Sequence, residues 1–263
     1  IGVSGQGANF QIGSPDLKPE ESLNYELGFN YNNGNLDLTT TAFFNKIDNL
    51  ITDGPDLLNC SFTKTPNRPG CVSYGSHITQ DTFSQSINAD EAETKGIELS
   101  LKYQIIPEWD IKAAYTYMES EITKGENKGS YLSNVPKNAF NMTSTWHINP
   151  AMDVWLQHEY KSERKRYNTE QTSGDAALIY KATGNKLNGY NLFNLGANYS
   201  LSDNDRITGA VNNVLDKDVT KNESYIDVNG NPASYYDYMI IGSGMSGTYL
   251  PGRNYWLSIS YDF

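Results

Sequence analysis

The chain has 263 residues, of which 38% are hydrophobic and 19% are charged, and its formal net charge is −11. This acidic balance excludes a protein that binds nucleic acid through its phosphates, because that affinity comes mainly from clustered Lys and Arg. No apolar run approaches the roughly 18 residues that a membrane-spanning helix requires, which excludes a helical membrane protein. A protein that crosses a membrane with strands remains compatible, since only every second residue of such a strand must be apolar.

The chain begins with polar, Gly-rich sequence at residues 1–4 rather than with the basic and then apolar regions of a signal peptide, so we expect it to be an internal part of a longer protein. The first predicted strand alternates over residues 23–31, with Leu, Tyr and Phe on one face and Asn, Glu and Gly on the other. The Asn-Asn-Gly-Asn sequence at 32–35 predicts a tight turn into a second strand over 36–51.

A loop predicted over 52–82 holds the only two cysteines, Cys60 and Cys71. In an exported protein, a local pair of cysteines predicts a disulfide, which would stabilise the loop by roughly 3 kcal/mol in the chain-entropy model. The alternative is a metal site formed by both cysteines and His77, although this spacing matches no strong zinc signature.

The third strand has a clean apolar face only over 97–105, and roughly nine residues suffice to cross a bilayer at a tilt. The same parity turns Glu91, Glu93 and Lys95 outward, where contact with hydrocarbon would be costly. We therefore expect residues 83–95 to stand above the membrane, outside the cell.

Further alternating strands are predicted over 109–117, 140–148, 152–160, 193–201, 207–211 and 255–263, and further long loops over 123–136, 162–188 and 215–252. Short turns that alternate with long loops are typical of the periplasmic and extracellular ends of outer-membrane barrels. The nine predicted strands are an odd number, whereas single-chain bacterial barrels have even numbers, so we expect earlier strands of a larger barrel to be missing.

Several phrases resemble the C-terminal halves of TonB-dependent receptors. They are SPDLKPEES at 14–22, NYELG at 24–28, TAFFN at 41–45, IDNLI at 47–51, AETKGIE at 92–98, VNNVLDK at 211–217 and PGR at 251–253. The alternating last strand, which ends with Tyr261 and Phe263, is similar to the signal that the barrel assembly machinery recognises.

The resemblance implies an all-β fold, in which residues 1–263 form about the last nine strands of a 22-stranded antiparallel transmembrane barrel whose N-terminal plug domain is absent from this sequence. It implies a multi-pass protein of the Gram-negative outer membrane, surrounded by lipid and lipopolysaccharide. Such a receptor imports a ferric siderophore with energy that the TonB complex delivers through the plug. The ending at 251–256 and the loop lengths are similar to receptors for ferric enterobactin and colicin I, so the expected cargo is a catecholate siderophore, and no cofactor is expected.

A ferric catecholate is a bulky anion with aromatic faces, so Lys, Arg and aromatic residues of the loops are the candidate contacts. Beyond the strand at 152–160, its parity aims some side chains inward as ligand contacts: Lys161, Lys165 and Tyr167. It aims two others outward, toward lipopolysaccharide phosphates: Arg164 and Arg166. The other loops add further candidates for ligand contact: Arg68, Tyr235, Tyr236 and Tyr238. The alternatives are a solvated basic loop, tyrosines that only pack their own loop, and a disulfide that only resists proteases.

His158 falls on the outward parity near the upper end of its strand, which predicts an interfacial aromatic role. No nucleophile elbow, phosphate loop or HExxH-type helix appears, so we expect the protein not to be an enzyme. Import of haem, cobalamin, a hydroxamate siderophore or an oligosaccharide remains an alternative. A barrel enzyme is another, although His147 and His158 have no evident nucleophile partner. The repeated outward Leu, Tyr and Trp faces argue against the last alternative, a soluble β-sandwich adhesin.

Overall fold

The structure, a computed structural model, describes residues 11–53, 56–125, 128–131, 135–167, 170–172, 174–202, 204–219, 223–235, 240–241, 247–248 and 250–261. Its elements in chain order are β1 Gln11–Ile12, β2 Glu21–Asn32, β3 Leu36–Asp53, β4 Leu57–Leu58, β5 Thr82–Ile106, β6 Trp109–Lys124, β7 Asn138–Asn149, β8 Met152–Lys161, β9 Arg164–Lys165, α1 Gly174–Thr183, β10 Lys186–Leu187, β11 Tyr190–Ser200, β12 Asp205–Asn212, β13 Glu223–Ile226, β14 Pro232–Tyr235, β15 Ile240–Ile241, β16 Gly247–Thr248 and β17 Asn254–Tyr261. Within these ranges no helix has the length and apolarity needed to cross a membrane.

Nine strands form one continuous antiparallel sheet, which we call the wall: β2, β3, β5, β6, β7, β8, β11, β12 and β17. Each wall strand pairs with the next one along the chain, and β1 and β4 add short pairings to β5. The nine predicted strands and the all-β antiparallel fold are thus confirmed. β2 and β17 form the two edges of the wall.

The two ends of the wall differ in the length of their connections. At one end the chain turns within 33–35, 107–108, 150–151 and 201–204, whereas at the other it runs through 54–81, 125–137, 162–189 and 213–253. The predicted tight turn after β2 is present, and Gly34 supplies the positive φ of 91° that this hairpin requires. The predicted alternation of short turns and long loops is confirmed.

The strand register collects the predicted outward side chains into rows that cross the wall. One row runs through Leu36, Tyr103, Ile111, Ser144, Leu156, Leu195, Val211 and Tyr255. Ser144 is the one polar member of this row. Apolar side chains of the same parity are exposed on the outer face of several wall strands, among them Leu27 at 78% and Ile259 at 72%. Because apolar area this extensive is unfavourable in water, the outer face is suited to contact with lipid.

Aromatic side chains mark both borders of this apolar face. Near the short turns, the rings of Trp109 and Trp146 stack at 6.2 Å. Near the long loops, the imidazole of His158 stacks on Phe193 at 4.5 Å and meets Phe140 edge-on at 5.7 Å. Amphipathic rings at both borders are typical of a barrel that spans a membrane, and His158 lies among them on the outer face, which agrees with its predicted parity.

Charged side chains lie on the outer face above the aromatic border, at the loop end. Glu91 accepts ion pairs from Lys46 at 3.4 Å and Lys124 at 2.8 Å, and Lys95 lies 3.9 Å from Glu119. The expectation that residues 83–95 stand above the hydrocarbon agrees with this placement, since charged groups there keep access to water.

The inner face is polar and satisfies its own charges in part. At its turn end, His147 bridges two carboxylates, with Nδ1 2.7 Å from Asp153 and Nε2 3.0 Å from Asp110. Higher up, the indole of Trp155 lies across Gly196, where any side chain would collide with it. The inner face therefore combines hydrogen-bonding groups with close aromatic packing.

The phrase before β2 is anchored on top of the wall rather than free. Asn88 donates to the carbonyls of Lys18 at 2.9 Å and Asn49 at 2.7 Å, and its own carbonyl accepts the Lys18 N–H at 2.7 Å. Glu20 accepts the N–H of Ile51 at 2.8 Å, beside a bulge where Asn49 has a φ of 58°. These motif residues thus fix the entry of the chain into the wall.

Candidate functional site

The long loops fold over the inner face at their end of the wall. Tyr190 and Leu192 lie on the inner face, in register with Lys161 and Glu159 of β8. Loop residues Leu187, Val219 and Leu250 pack against these two side chains in a small apolar cluster. Residues of the segments 162–189 and 213–253 therefore meet at this end of the inner face.

The predicted disulfide between Cys60 and Cys71 is present, with the two Cα atoms 5.0 Å apart. Both sulfurs are committed to this bond, so the alternative metal site with His77 is wrong. Beside the disulfide, buried Asn59 donates to the carbonyls of His77 at 2.7 Å and Gln80 at 2.6 Å. The loop is thus a small folded unit with its own polar centre.

Arg68, one of the predicted ligand contacts, binds a carboxylate at the other end of this loop segment. Its guanidinium is bound by the carboxylate and the carbonyl of Asp81, and it lies 5.9 Å from the centre of the Phe62 ring. The positive charge is therefore used within the loop, because a neighbouring carboxylate is available after the chain doubles back.

Lys161 points to the inner face, as its parity predicts. Its ammonium lies 3.1 Å from the Glu159 carboxylate and 5.7 Å from the centre of the Tyr190 ring, whose hydroxyl donates to the same carboxylate at 3.0 Å. Glu159 thus neutralises Lys161 from within the same strand, and sequence alone does not show that Tyr190 joins them.

The parity argument does not extend beyond Lys161, because the strand ends there. Ser162 leaves the wall and caps β7 instead: its N–H donates to the Asn138 carbonyl at 2.9 Å, and its hydroxyl accepts the Asn138 N–H at 3.0 Å. The next residues form β9, which pairs with β10 in a separate hairpin. The parity of β8 therefore does not set the placement of Arg164 and Lys165, which both line one cleft.

This cleft has a volume of about 460 Å³ and lies between the β9–β10 hairpin and the upper ends of β5 and β6. Two of its lysines are neutralised locally, Lys137 by Glu119 at 2.5 Å and Lys186 by Glu163 at 2.9 Å. Lys165 differs from them, because no carboxylate in the described part of the chain pairs with it.

The ammonium of Lys165 lies instead 5.8 Å from the centre of the Tyr131 ring, contributed by the preceding loop. A cation held on an exposed aromatic ring keeps its charge available to an anion. Sequence reasoning selected Lys165 but missed Tyr131, since only the folded loops bring residues of 125–137 and 162–189 together.

Tyr167 sits at the junction of its loop with α1. Its ring centre lies 6.4 Å from that of Tyr180. The side chain of Asn185 accepts the Tyr167 N–H at 2.8 Å and donates to the Tyr167 carbonyl at 3.0 Å. The helix α1 was not predicted from the sequence. Its signals were present: Asp175 in the first turn and Gly184 just past the end, with a φ of 60°.

Tyr235 is buried between loops rather than displayed. Its hydroxyl donates to Glu223, and the Arg166 guanidinium lies 5.4 Å from its ring centre. Arg166, expected to face outward, thus joins the two loops. Tyr236, Tyr238 and Phe263 lie outside the described residues, while Tyr261 lies on the outer face of β17 opposite Asp205.

The antiparallel wall has an apolar outer face with aromatic borders, a polar inner face, short turns at one end and long loops at the other. This combination defines an outer-membrane β-barrel, of which the wall is a part. The model of the family "TonB dependent receptor-like, beta-barrel" matches residues 2–214, and the chain belongs to that family. Its location is the outer membrane of a Gram-negative bacterium, as predicted.

Similar proteins include the iron-regulated outer membrane virulence protein of Vibrio cholerae serotype O1, 29% identical over 262 residues, which are 99% of this chain and 33% of that protein. The vitamin B12 transporter BtuB of Photobacterium profundum is 29% identical over 231 residues, 85% of this chain and 30% of the transporter. The chain thus spans about a third of the length of these relatives.

Among solved structures, the ferric enterobactin receptor PfeA of Pseudomonas aeruginosa, in complex with enterobactin, superposes with a TM-score of 0.64 at 21% identity. The match covers 94% of this chain and 32% of PfeA. At this identity the likeness establishes the fold, which agrees with a C-terminal portion of a larger barrel.

Proposed function

We propose that the complete protein is a TonB-dependent outer-membrane receptor that imports a ferric siderophore of the catecholate class. Family membership supports the transport class, and the relative named as iron-regulated and the fold neighbour named for enterobactin support the cargo. In this proposal the loops hold the ligand, a plug domain in the lumen transmits energy from TonB, and the wall gives the passage its boundary.

The observation that carries the choice of an anionic cargo is Lys165 on the ring of Tyr131. In a cleft whose other lysines are mostly paired with glutamates, this cation has no carboxylate partner among the described residues. A ferric catecholate offers negative charge together with aromatic faces, and a lysine beside tyrosines complements both. We therefore assign Lys165 as a ligand contact, and Tyr167, Tyr236 and Tyr238 remain candidates.

Lys161, Arg68 and Tyr235 fit the ligand role less well, because each is engaged with a neighbouring carboxylate. For lipopolysaccharide, Arg164 suits a phosphate contact best, since its cleft also includes Lys95 of the outer face. Arg166 keeps the same proposed role only if it leaves Tyr235. Tyr261 and Phe263 remain the proposed signal for the assembly machinery.

The test is growth rescue by the full-length parent gene in an iron-starved, siderophore-deficient receptor mutant. Ferric catecholates, ferric hydroxamates and haem are supplied separately, and we expect only the catecholates to restore growth. Lys165→Ala and Tyr167→Ala should each raise the ligand concentration that gives half-maximal uptake roughly tenfold, equivalent to about 1.4 kcal/mol of binding free energy. Matched controls are Lys128→Ala and Tyr74→Ala, an exposed lysine and tyrosine of other loops, which should leave uptake unchanged.

Vitamin B12 import is the second candidate, because the Photobacterium transporter is as similar to this chain, at 29% identity, as the iron-regulated relative. Growth of a cobalamin-dependent strain on limiting vitamin B12 distinguishes the two. If only vitamin B12 uptake is restored, while the receptor is present at the surface, the siderophore proposal fails.

A further inference from the structure

Two lysines on the inner face of the wall lack the partners that neighbouring charges have. His147 and its two aspartates satisfy one another nearby. Lys102 of β5 and Lys112 of β6, by contrast, are exposed and form no ion pair with any residue that the structure describes.

The strand register places these two lysines directly opposite each other. Their Cβ atoms are thereby held roughly 5 Å apart, and like charges in directly opposed positions destabilise a sheet. Repulsion of this kind is relieved when an anion lies between the two ammonium groups. The pair is therefore suited to a carboxylate that approaches from the lumen.

The wall cannot neutralise the pair by itself. Asp37 lies opposite Lys102 on its other side, and Thr143 lies opposite Lys112 on its other side. Asp110, two residues before Lys112 on the same face, is already engaged by His147. Even if Lys102 turned to Asp37, the row would keep one positive charge, on Lys112.

We infer that Lys102 and Lys112 form a docking site for an acidic side chain of the polypeptide that occupies the lumen in the complete protein. The occupant follows from charge complementarity and from length, since this chain spans about a third of its relatives. The inference rests on the proposed function in one respect, namely that the lumen is filled. It places one attachment point of that filling segment at the turn end of β5 and β6.

The test uses zero-length carbodiimide coupling on the full-length receptor in outer-membrane vesicles, followed by mass spectrometry of the peptides. This reagent joins a lysine to a carboxylate only when they touch, and Lys137 with Glu119, 2.5 Å apart, serves as the internal positive control. We expect Lys112, Lys102 or both to be coupled to an Asp or Glu that precedes this chain in the parent polypeptide. If the control pair is coupled but neither Lys102 nor Lys112 is joined to an Asp or Glu that precedes this chain, for example because Lys102 is coupled only to Asp37, the inference is overturned.

Lys112→Met tests the consequence, with Lys128→Met as the matched control. Loss of a charged contact in a docked interface should raise the rate at which protease cleaves the lumenal segment by about tenfold in Lys112→Met and leave it unchanged in the control. Equal rates in both variants, with the barrel folded, contradict the inference. Neither readout requires transport, so failed growth rescue with intact coupling would overturn the proposed cargo and leave this docking site in place.

Discussion

Trp155 lies across Gly196 so closely that a Cβ at Gly196 would stand 2.2 Å from the indole ring and 2.8 Å from the Gly209 carbonyl oxygen. Gly196→Ala should therefore displace Trp155 and destabilise the wall by about 1–3 kcal/mol, as overpacking generally does. The measurement is the urea midpoint of the folded, heat-modifiable receptor on gels.

Gly209→Ala is the matched control on the neighbouring strand. A Cβ there meets only Leu257 at 3.9 Å, an ordinary contact. We expect its midpoint to stay near that of the unsubstituted receptor. Equal midpoints for both variants would contradict the assigned packing of Trp155.

Asp227 makes the turn between β13 and β14 dependent on pH. The N–H groups of Asn231 and Asn229 donate to its carboxylate at 2.7 Å and 2.9 Å, and these bonds hold the pKa of Asp227 below its usual value. Because the folded pKa is depressed, the stabilisation is complete above about pH 4 and is lost as the pH falls through the folded pKa.

Amide hydrogen exchange over 223–235 measures this effect. Protection should fall in acid more steeply than in Asp227→Asn, which keeps an acceptor oxygen but does not titrate. Parallel loss in both proteins would mean that the Asp227 carboxylate is not what closes the turn.

Single residues also show where sequence reasoning ends. The basic run after β8 correctly indicated a loop rich in cations, but it did not show which charge is left over. Arg68 pairs with Asp81 and Lys161 with Glu159, whereas Lys165 lies against an aromatic ring and pairs with no carboxylate among the described residues. Such outcomes depend on contacts between loops, which no local periodicity encodes.

At the scale of elements, the disulfide loop offers a separable prediction. In the chain-entropy model, a bond across a sequence separation of 11 contributes roughly 3 kcal/mol. Replacing both Cys60 and Cys71 by Ser should therefore raise the rate of protease cleavage in 57–81 by up to about 100-fold, with no change in the folding of the wall. A reducing agent should have the same effect on the native protein and none on the double variant. If cleavage is equally slow in the native protein, the reduced native protein and the double variant, the hydrogen bonds of Asn59 hold the loop without the disulfide.

Elements of the wall were predictable because alternation over ten or so residues is a strong signal, repeated on every strand. The loop elements were not, because α1 and the hairpins β9–β10 and β13–β14 are short and gain their stability from one another. The Val228 N–H, for example, donates to Asp175 at the start of α1. In the sequence, only the residues at the two ends of α1 indicated a helix.

For the whole molecule, the barrel architecture depends on which face of the wall meets lipid and which meets the lumen. Leu257 lies on the outer face of β17, and its neighbour Ser258 on the inner face. Leu257→Arg should cost about 2–4 kcal/mol if the position lies near the bilayer midplane, whereas Ser258→Arg faces the polar lumen and should cost little. The fraction of receptor that assembles in the outer membrane decides between them. Equal assembly of both variants would contradict the assignment.

The two ends of the wall should differ in how well they tolerate inserted residues. Inserted codons in 54–81 or 213–253 lengthen a connection that is already long, and doubling the length of such a loop costs only about 0.6 kcal/mol of closure free energy. One inserted codon beside the turn at 107–108 would exchange the faces of a whole strand, turning its apolar side chains to the lumen. Changes of length should therefore be tolerated in the long connections, whereas the short turns at the other end should tolerate none.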